Sequence, residues 1–326
     1  MKQPLVSVVI PTYNRLALLG EAVASVRAQT LARWQLLVVD DGSDDGTVAA
    51  FAAHQDPRIE LVSLVHSGIV GHVRNQGARP ASGRYLAFLD SDDLWRASKL
   101  ARQLEALEHS RATWSYTGYD VIGDGGRRLS HYQPPGEAGA DEALLLGLLT
   151  THTSAAMSSL AVSRATFERL GGFSTHPRIR EDHDLVLRLA EAREPRIEIA
   201  EILMSIRQHA RRSGDGERDA FERSAIAYQH LLARSSGDQP RSKRVAATAR
   251  RARAGHLITS ARIDHQHGAW RRARSKLWQT RDPGWRLVRW WWMWLRLLRA
   301  GRSARNEPAE AGYRRRLKKR SQRGMK

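Results

Sequence analysis

The 326-residue chain contains no cysteine, so no disulfide holds it together, which is compatible with a reducing compartment without proving one. Aromatics make up only 7% of it, and seven of its ten tryptophans crowd between Trp270 and Trp294. Within that segment the uncharged stretch from Trp290 to Leu295 is six residues, far below the ~20 needed to cross a bilayer. Also missing are the Gly-x-x-x-x-Gly-Lys loop of nucleoside triphosphatases and the Gly-x-Gly-x-x-Gly loop of dinucleotide enzymes, which argues against both classes. The first strand-like run begins at residue 5, leaving no room for a signal peptide, so a cytoplasmic protein is expected. At 41% hydrophobic content the chain can bury one α/β core and a smaller helical unit.

What is present is a pattern of acids at strand ends. Leu5–Ile10 reads as a buried strand closed by Pro11-Thr12-Tyr13-Asn14-Arg15, and a helical pattern follows through Val26. Leu36–Val39 is a second strand, ending in Asp40-Asp41-Gly42-Ser43-Asp44-Asp45-Gly46-Thr47. A strand near Ile59–Val65, a helix through Val70–Ala78 and a strand at Tyr85–Leu89 complete the alternation. Repeated β-α-β units predict a mostly parallel sheet with helices on both faces. The last of these strands runs into Asp90-Ser91-Asp92-Asp93, at the sheet edge where such folds bind ligands. Three anions so close require a cation or a hydrogen-bond network. A hard divalent ion that shares its ligands with a phosphate fits. The alternative is a solvated turn capping a helix that starts near Arg96.

In this order, Val8–Asn14, Val38–Thr47, Arg74–Gly77, Ser82–Asp93 and Arg180-Glu181-Asp182-His183-Asp184-Leu185 resemble the family-2 glycosyltransferases of GT-A fold. The resemblance covers residues 5 to about 210. It implies a Rossmann-like α/β catalytic domain, an inverting, metal-dependent transfer, and a nucleotide-diphospho-sugar donor. It makes Asp92 the metal ligand for Mn²⁺ or Mg²⁺, with His209 of Ile206-Arg207-Gln208-His209 as a second ligand or a diphosphate contact. Asp90 and Asp93 become ribose-contacting or supporting groups, although Asp93 also reads as a plain helix cap. Asp41 would accept the N3–H of the base, which suits uracil or thymine because a carboxylate only accepts. Pro11, Tyr13 and Arg15 would shape the base pocket, with Asn75 bonding the site's backbone and Arg74 pairing with an acid or a phosphate. Asp182 is the expected general base. Glu181 would orient the acceptor or favour the helix N-terminus. Without the upstream motifs, residues 181–184 read as a charged helix entrance.

Charge divides the chain. Residues 1–210 carry 22 basic and 25 acidic side chains, whereas 211–326 carry 31 and 9, so the formal +19 lies wholly in the C-terminal third. The expected organisation is a catalytic domain over 1–215, a helical region over 216–300 and a basic, disordered tail over 301–326. In a helix through Trp285–Arg299, Arg286, Arg289, Arg296 and Arg299 share one arc, which reads as an in-plane interfacial helix on anionic lipid. Arg314–Arg320 would reinforce it. The alternatives are Trp packing as ordinary core, or a basic, Trp-rich nucleic-acid-binding region. The whole then reads as a cytoplasmic enzyme, peripheral on the inner membrane face, adding sugar to a glycan or lipid-linked acceptor in cell-surface polysaccharide synthesis. Acceptor choice is expected within residues 120–180.

Overall fold

Val6–Thr12 forms β1, followed by α1 (Leu16–Arg27), β2 (Trp34–Asp40), α2 (Thr47–Ala52), β3 (Ile59–Ser63), α3 (Val70–Ala78) and β4 (Tyr85–Phe88). β1 and β2 are buried almost throughout. Strands covered on both faces need continuous apolar runs rather than alternation, which is what these sequences show. The strands pair in parallel in the order β3-β2-β1-β4. Register sets Val9 beside Phe88 and Thr12 beside Asp40, so the loops after β1, β2 and β4 leave along one edge. The chain moves outward from β1 to β3, then returns to β4 on the other side of β1. That reversal puts a switch point between the carboxyl ends of β1 and β4.

β5 (Leu94–Trp95), α4 (Lys99–Glu108), β6 (Trp114–Ile122), β7 (Arg128–Tyr132), β8 (Ala138–Gly139) and β9 (Ala161–Ser163) extend the sheet, with a 3₁₀ turn at Met157–Ser159 before β9. α5 (Arg164–Arg169), α6 (Glu181–Glu191) and β10 (Arg196–Arg207) follow. β9 runs antiparallel between β4 and β6, while β6 pairs in parallel with β10. The helix expected near Arg96 begins at Lys99 instead. Leu94 and Trp95 are taken up first in a short pairing with Ser205 and Met204 of β10.

Helices cover both faces of the sheet. Leu19, Ala22, Val23 and Val26 of α1 recur at helical spacing and pack on Val6, Val8, Ile10, Leu36 and Val38. α3 covers the other face at close range, because Gly77 has no side chain. A Cβ there would stand 2.6 Å from both Val9 and Val39. On that face Phe88 meets Phe173 and Phe167, with ring centroids 4.8 and 5.6 Å away.

The structure, a computed structural model, describes residues 3–136, 138–139, 156–208, 214–234, 240–267 and 269–280. His209, the Trp285–Arg299 segment and the tail from 301 lie outside the described residues. Its contacts divide the chain into two units, Met1–Arg211 with Ala227–Ala249, and Arg212–Ile226 with the chain from Arg250 onward. Among the described residues three further helices follow: α7 (Gly214–Arg234), α8 (Pro240–Gln266) and α9 (Trp270–Gln279). In the second unit Ala261 of α8 packs with Ala273 and Leu277 of α9. Beside them Lys276 forms ion pairs with Asp264 and Glu222 and donates to Ser260 Oγ at 2.9 Å.

Candidate active site

The loops after β1 and β2 are laced together before any ligand is considered. Asn14, at φ +49°, accepts from the Asp44 amide on its side-chain oxygen and donates its own amide to Ser43 Oγ, both at 2.9 Å. Asp45 serves two helices: one carboxylate oxygen accepts the Leu16 amide at the start of α1, the other the Thr47 amide and hydroxyl at the start of α2. The Thr47 hydrogen bond is the main reason its acidity rises. These short acids stabilise helix N-termini by meeting amides that lack intrahelical partners.

Asp41 organises the loop between β3 and α3. Its Oδ1 accepts the Ser67 amide (2.9 Å) and hydroxyl (3.0 Å), and its Oδ2 accepts the Gly68 amide (2.9 Å). His66 Nδ1 donates to the Asp41 carbonyl at 2.8 Å and lies 3.2 Å from Oδ2. Gly42, at φ +78°, makes this approach feasible, since a Cβ would press to 2.9 Å from the His66 amide nitrogen. The His66 ring stacks on Tyr13 at 4.1 Å, forming a half-exposed aromatic wall beside the buried carboxylate. Pro11 lies within β1, in register with Val39.

At the end of β4 each acid of the turn has a different partner. Asp92 pairs with Arg15 at 2.6 Å, and Asp90 with Arg74 at 2.6 Å. Asp93 is directed inward, accepting from Ser158 Oγ (2.6 Å) and the Arg207 amide (3.1 Å). Burial, reinforced by the neighbouring Asp90, pushes the Asp93 carboxyl well above the usual range despite the Ser158 hydrogen bond.

Arg74 joins this turn to the start of α6. Its guanidinium is 4% exposed and reaches Asp90 with one nitrogen and Glu181 with the other, each at 2.6 Å. Asn75, next in α3, donates to the Phe173 carbonyl and accepts the Phe173 amide, both at 2.9 Å, holding the segment that leads into α6. Asp182 is held by Arg180 at 2.9 Å and accepts the His183 amide at 2.7 Å. Asp184 pairs with Arg188, which also donates to the Leu170 and Gly172 carbonyls. The adjacent acids at the head of α6 are driven apart. Burial raises Glu181 against the pull of Arg74. Burial also works on Asp182, but the Arg180 charge and hydrogen bond, with Arg74 and His183, outweigh it and hold that carboxyl below the usual range.

The expected residues therefore fall into distinct groups. Asp90, Arg74 and Glu181 are joined directly, with Asp182 beside them, and Arg15 and Asp92 form a separate pair. Asp41 is bonded to residues 66–68, and Asp93 to the framework. His66, Ser67 and Ser158 have no expected role in the sequence, and Arg180 and Arg207 stand in the quoted motifs without a role of their own. Ser158 lies 65 residues from Asp93 in an uncharged stretch that carries no signal of this contact.

Among the described residues no three His, Asp or Glu side chains are grouped to hold a metal ion. The partly exposed Asp92 carboxylate fits a cation of the kind that brings water and substrate phosphates as its other ligands, rather than one caged by protein.

Comparison with known proteins agrees with this architecture. A sequence profile for Glycosyl transferase family 2 matches residues 7–170. The putative teichuronic acid biosynthesis glycosyltransferase TuaG of Bacillus subtilis is 37% identical over 154 residues, 45% of this chain and 61% of that protein. The UDP-Glc:alpha-D-GlcNAc-diphosphoundecaprenol beta-1,3-glucosyltransferase WfgD of Escherichia coli is 38% identical over 122 residues, 37% of this chain and 48% of that protein. The matched part thus spans about half to three fifths of the length of these relatives. Among solved structures, the mannosyltransferase PcManGT from Pyrobaculum calidifontis, in complex with GDP-Man and Mn²⁺, superposes with a TM-score of 0.61 at 20% identity. The alignment covers 95% of this chain and 83% of that one, a likeness of fold, the GT-A fold.

Proposed function

The chain belongs to glycosyl transferase family 2, and from that membership we propose that it transfers a sugar, with inversion, from a nucleoside-diphosphate donor to a glycan or lipid-linked acceptor. The observation that carries this reading is Arg74, which binds an acid of the β4 turn and an acid of α6 in one buried guanidinium. Donor-side and acceptor-side carboxylates are thereby held in one fixed relation.

In this reading the base lies along the Tyr13–His66 wall and gives its N3–H to the remaining lone pair of Asp41 Oδ2, which favours UDP- or dTDP-sugars. Pro11 supports the wall from β1. Asp90 faces the ribose. Asp92 would hold Mn²⁺ or Mg²⁺ once Arg15 yields its place, with His209 as a second ligand or a diphosphate contact. Bound there, the ion supplies positive charge to the departing diphosphate. Asp182 takes the proton from the acceptor hydroxyl as it attacks the anomeric carbon opposite the leaving group. Its lowered pKa keeps it ionised at neutral pH, and its strength as a base rises when Arg180 moves off it. Glu181, anchored by Arg74, orients the acceptor. WfgD is named for a diphosphoundecaprenol-linked acceptor, which supports the lipid-linked alternative here. Among the described residues no helix is long and apolar enough to cross a membrane. The Trp- and Arg-rich segment 285–299 is proposed to keep the enzyme on the inner membrane face, next to such an acceptor.

The test is transfer or hydrolysis by purified protein across a panel of UDP-, dTDP- and GDP-sugars with Mn²⁺. Turnover by wild type and its loss in Asp92→Ala and Asp182→Asn are expected. Undiminished turnover in both variants would overturn the assignment.

A further inference from the structure

The acidic turn after β4 is not held by its own residues alone. Asp93 donates its amide to the Asp90 carbonyl at 3.0 Å, closing a tight turn that brings the carboxylates within mutual repulsion. A single hydroxyl from a distant segment meets both ends of it. Ser158 Oγ, on a residue 1% exposed, accepts the Asp90 amide at 3.0 Å and donates to Asp93 Oδ2 at 2.6 Å. A hydroxyl has one proton and two lone pairs, so it can serve both groups at once. Methyl or methylene groups could serve neither.

Ser158 is itself held. Its carbonyl accepts Trp95 Nε1–H at 2.8 Å, and Trp95 is buried beneath Lys99 Nζ, 3.8 Å from its ring. The other oxygen of Asp93 accepts the Arg207 amide, and Arg207 Nε donates to the Asp92 carbonyl at 3.2 Å. The Asp90 amide, the Asp93 carboxylate and the Asp92 carbonyl are thus fixed by β10 or by the 3₁₀ turn at Met157–Ser159. Asp90 and Asp92 keep their carboxylates toward Arg74 and Arg15.

We propose that Ser158 is a positioning residue for transfer, setting through the Asp90 amide and the Asp93 carboxylate where the Asp90 carboxylate stands against the donor's ribose and the Asp92 carboxylate against its diphosphate. The inference rests on the donor-site reading given above. Ser159 provides an internal control. It is equally buried, but its hydroxyl donates to the Ala156 carbonyl at 2.7 Å and reaches no acid.

The experiment measures donor KM, kcat and melting temperature for full-length wild type, Ser158→Ala, Ser159→Ala and Asp92→Ala, using UDP-glucose or whichever nucleotide sugar the panel identifies. Ser158→Ala is expected to lose about 100-fold in kcat/KM, the scale of a misplacement of ~1 Å at a reacting centre. That loss should include a raised donor KM. Ser159→Ala should stay within about threefold of wild type, even where its melting temperature falls as far. Ser158→Cys, which keeps a weak donor and acceptor, should lie between the two and stands in if the alanine variant does not fold. Combining Ser158→Ala with Asp93→Asn should cost no more than the worse single change, because both act through one bond. Ser158→Ala at wild-type efficiency, or Ser159→Ala losing as much, overturns the proposal. An Asp92→Ala protein with undiminished turnover overturns the donor-site reading and the role of Ser158 with it, and that arm alone tells the two failures apart.

Discussion

The two acidic strand ends of this molecule hold their charge in different ways. At the end of β2, Asp41 is held by amides and a hydroxyl from residues 67 and 68. At the end of β4 and the head of α6, the acids Asp90, Asp92, Glu181 and Asp182 are held by Arg74, Arg15 and Arg180. Backbone dipoles offer a permanent, neutral cradle that a ligand cannot displace without unfolding the loop. Guanidinium partners are mobile charges that a cation or a phosphate can replace, provided they are exposed. Arg15, 47% exposed, meets that condition; Arg74, at 4%, does not. One end is therefore fixed by amides, whereas the other carries one exposed ion pair, Arg15–Asp92, that can exchange partners.

The most damaging way to break this contrast is Arg74→Ala. It strips the shared partner from Asp90 and Glu181, and losing one side of a buried ion pair costs about 3–5 kcal/mol. Urea unfolding should register that loss, and activity should fall further than stability explains. Asp41→Asn probes the other end. An amide presents one acceptor where Ser67 and Gly68 need two, so one partly exposed hydrogen bond is lost, at about 1 kcal/mol. Unfolding should shift by that amount, and donor KM should rise. Acid sharpens the comparison further. Because the folded pKa of Asp182 is lowered, its stabilisation is present above the unfolded value, about 3.9, and is lost as pH falls through the folded value. Denaturation curves taken between neutrality and pH 3 should show wild type losing stability more steeply than Asp182→Asn. Least is expected of Arg15→Ala. An exposed pair contributes under ~1 kcal/mol, so its melting curve should nearly overlie that of wild type.

The alternating elements up to β4 were readable in the sequence, because a strand covered on both faces has to be apolar throughout and a half-covered helix has to repeat at 3.6 residues. Leu36–Val39 and Leu19–Val26 show those two constraints directly. On the mixed far side of the sheet the shortest strands were not readable. β5 and β9 are two and three residues long, too short to carry a period, and exist because β10 and β4 offer unpaired edges.

The site divides along the same line. Acid identity and strand-end position are local properties, and the run of residues 90–93 displayed them. Partners are not local. Arg74 meets Glu181 across 107 residues and Ser158 meets Asp93 across 65. Sequence alone determined that carboxylates would gather where strands β2 and β4 end, since side-chain chemistry and chain periodicity are written residue by residue. Only the folded chain decided which of them would be neutralised by arginine, which by amides and which turned inward. That choice depends on distances set by the packing of segments that share no sequence neighbourhood.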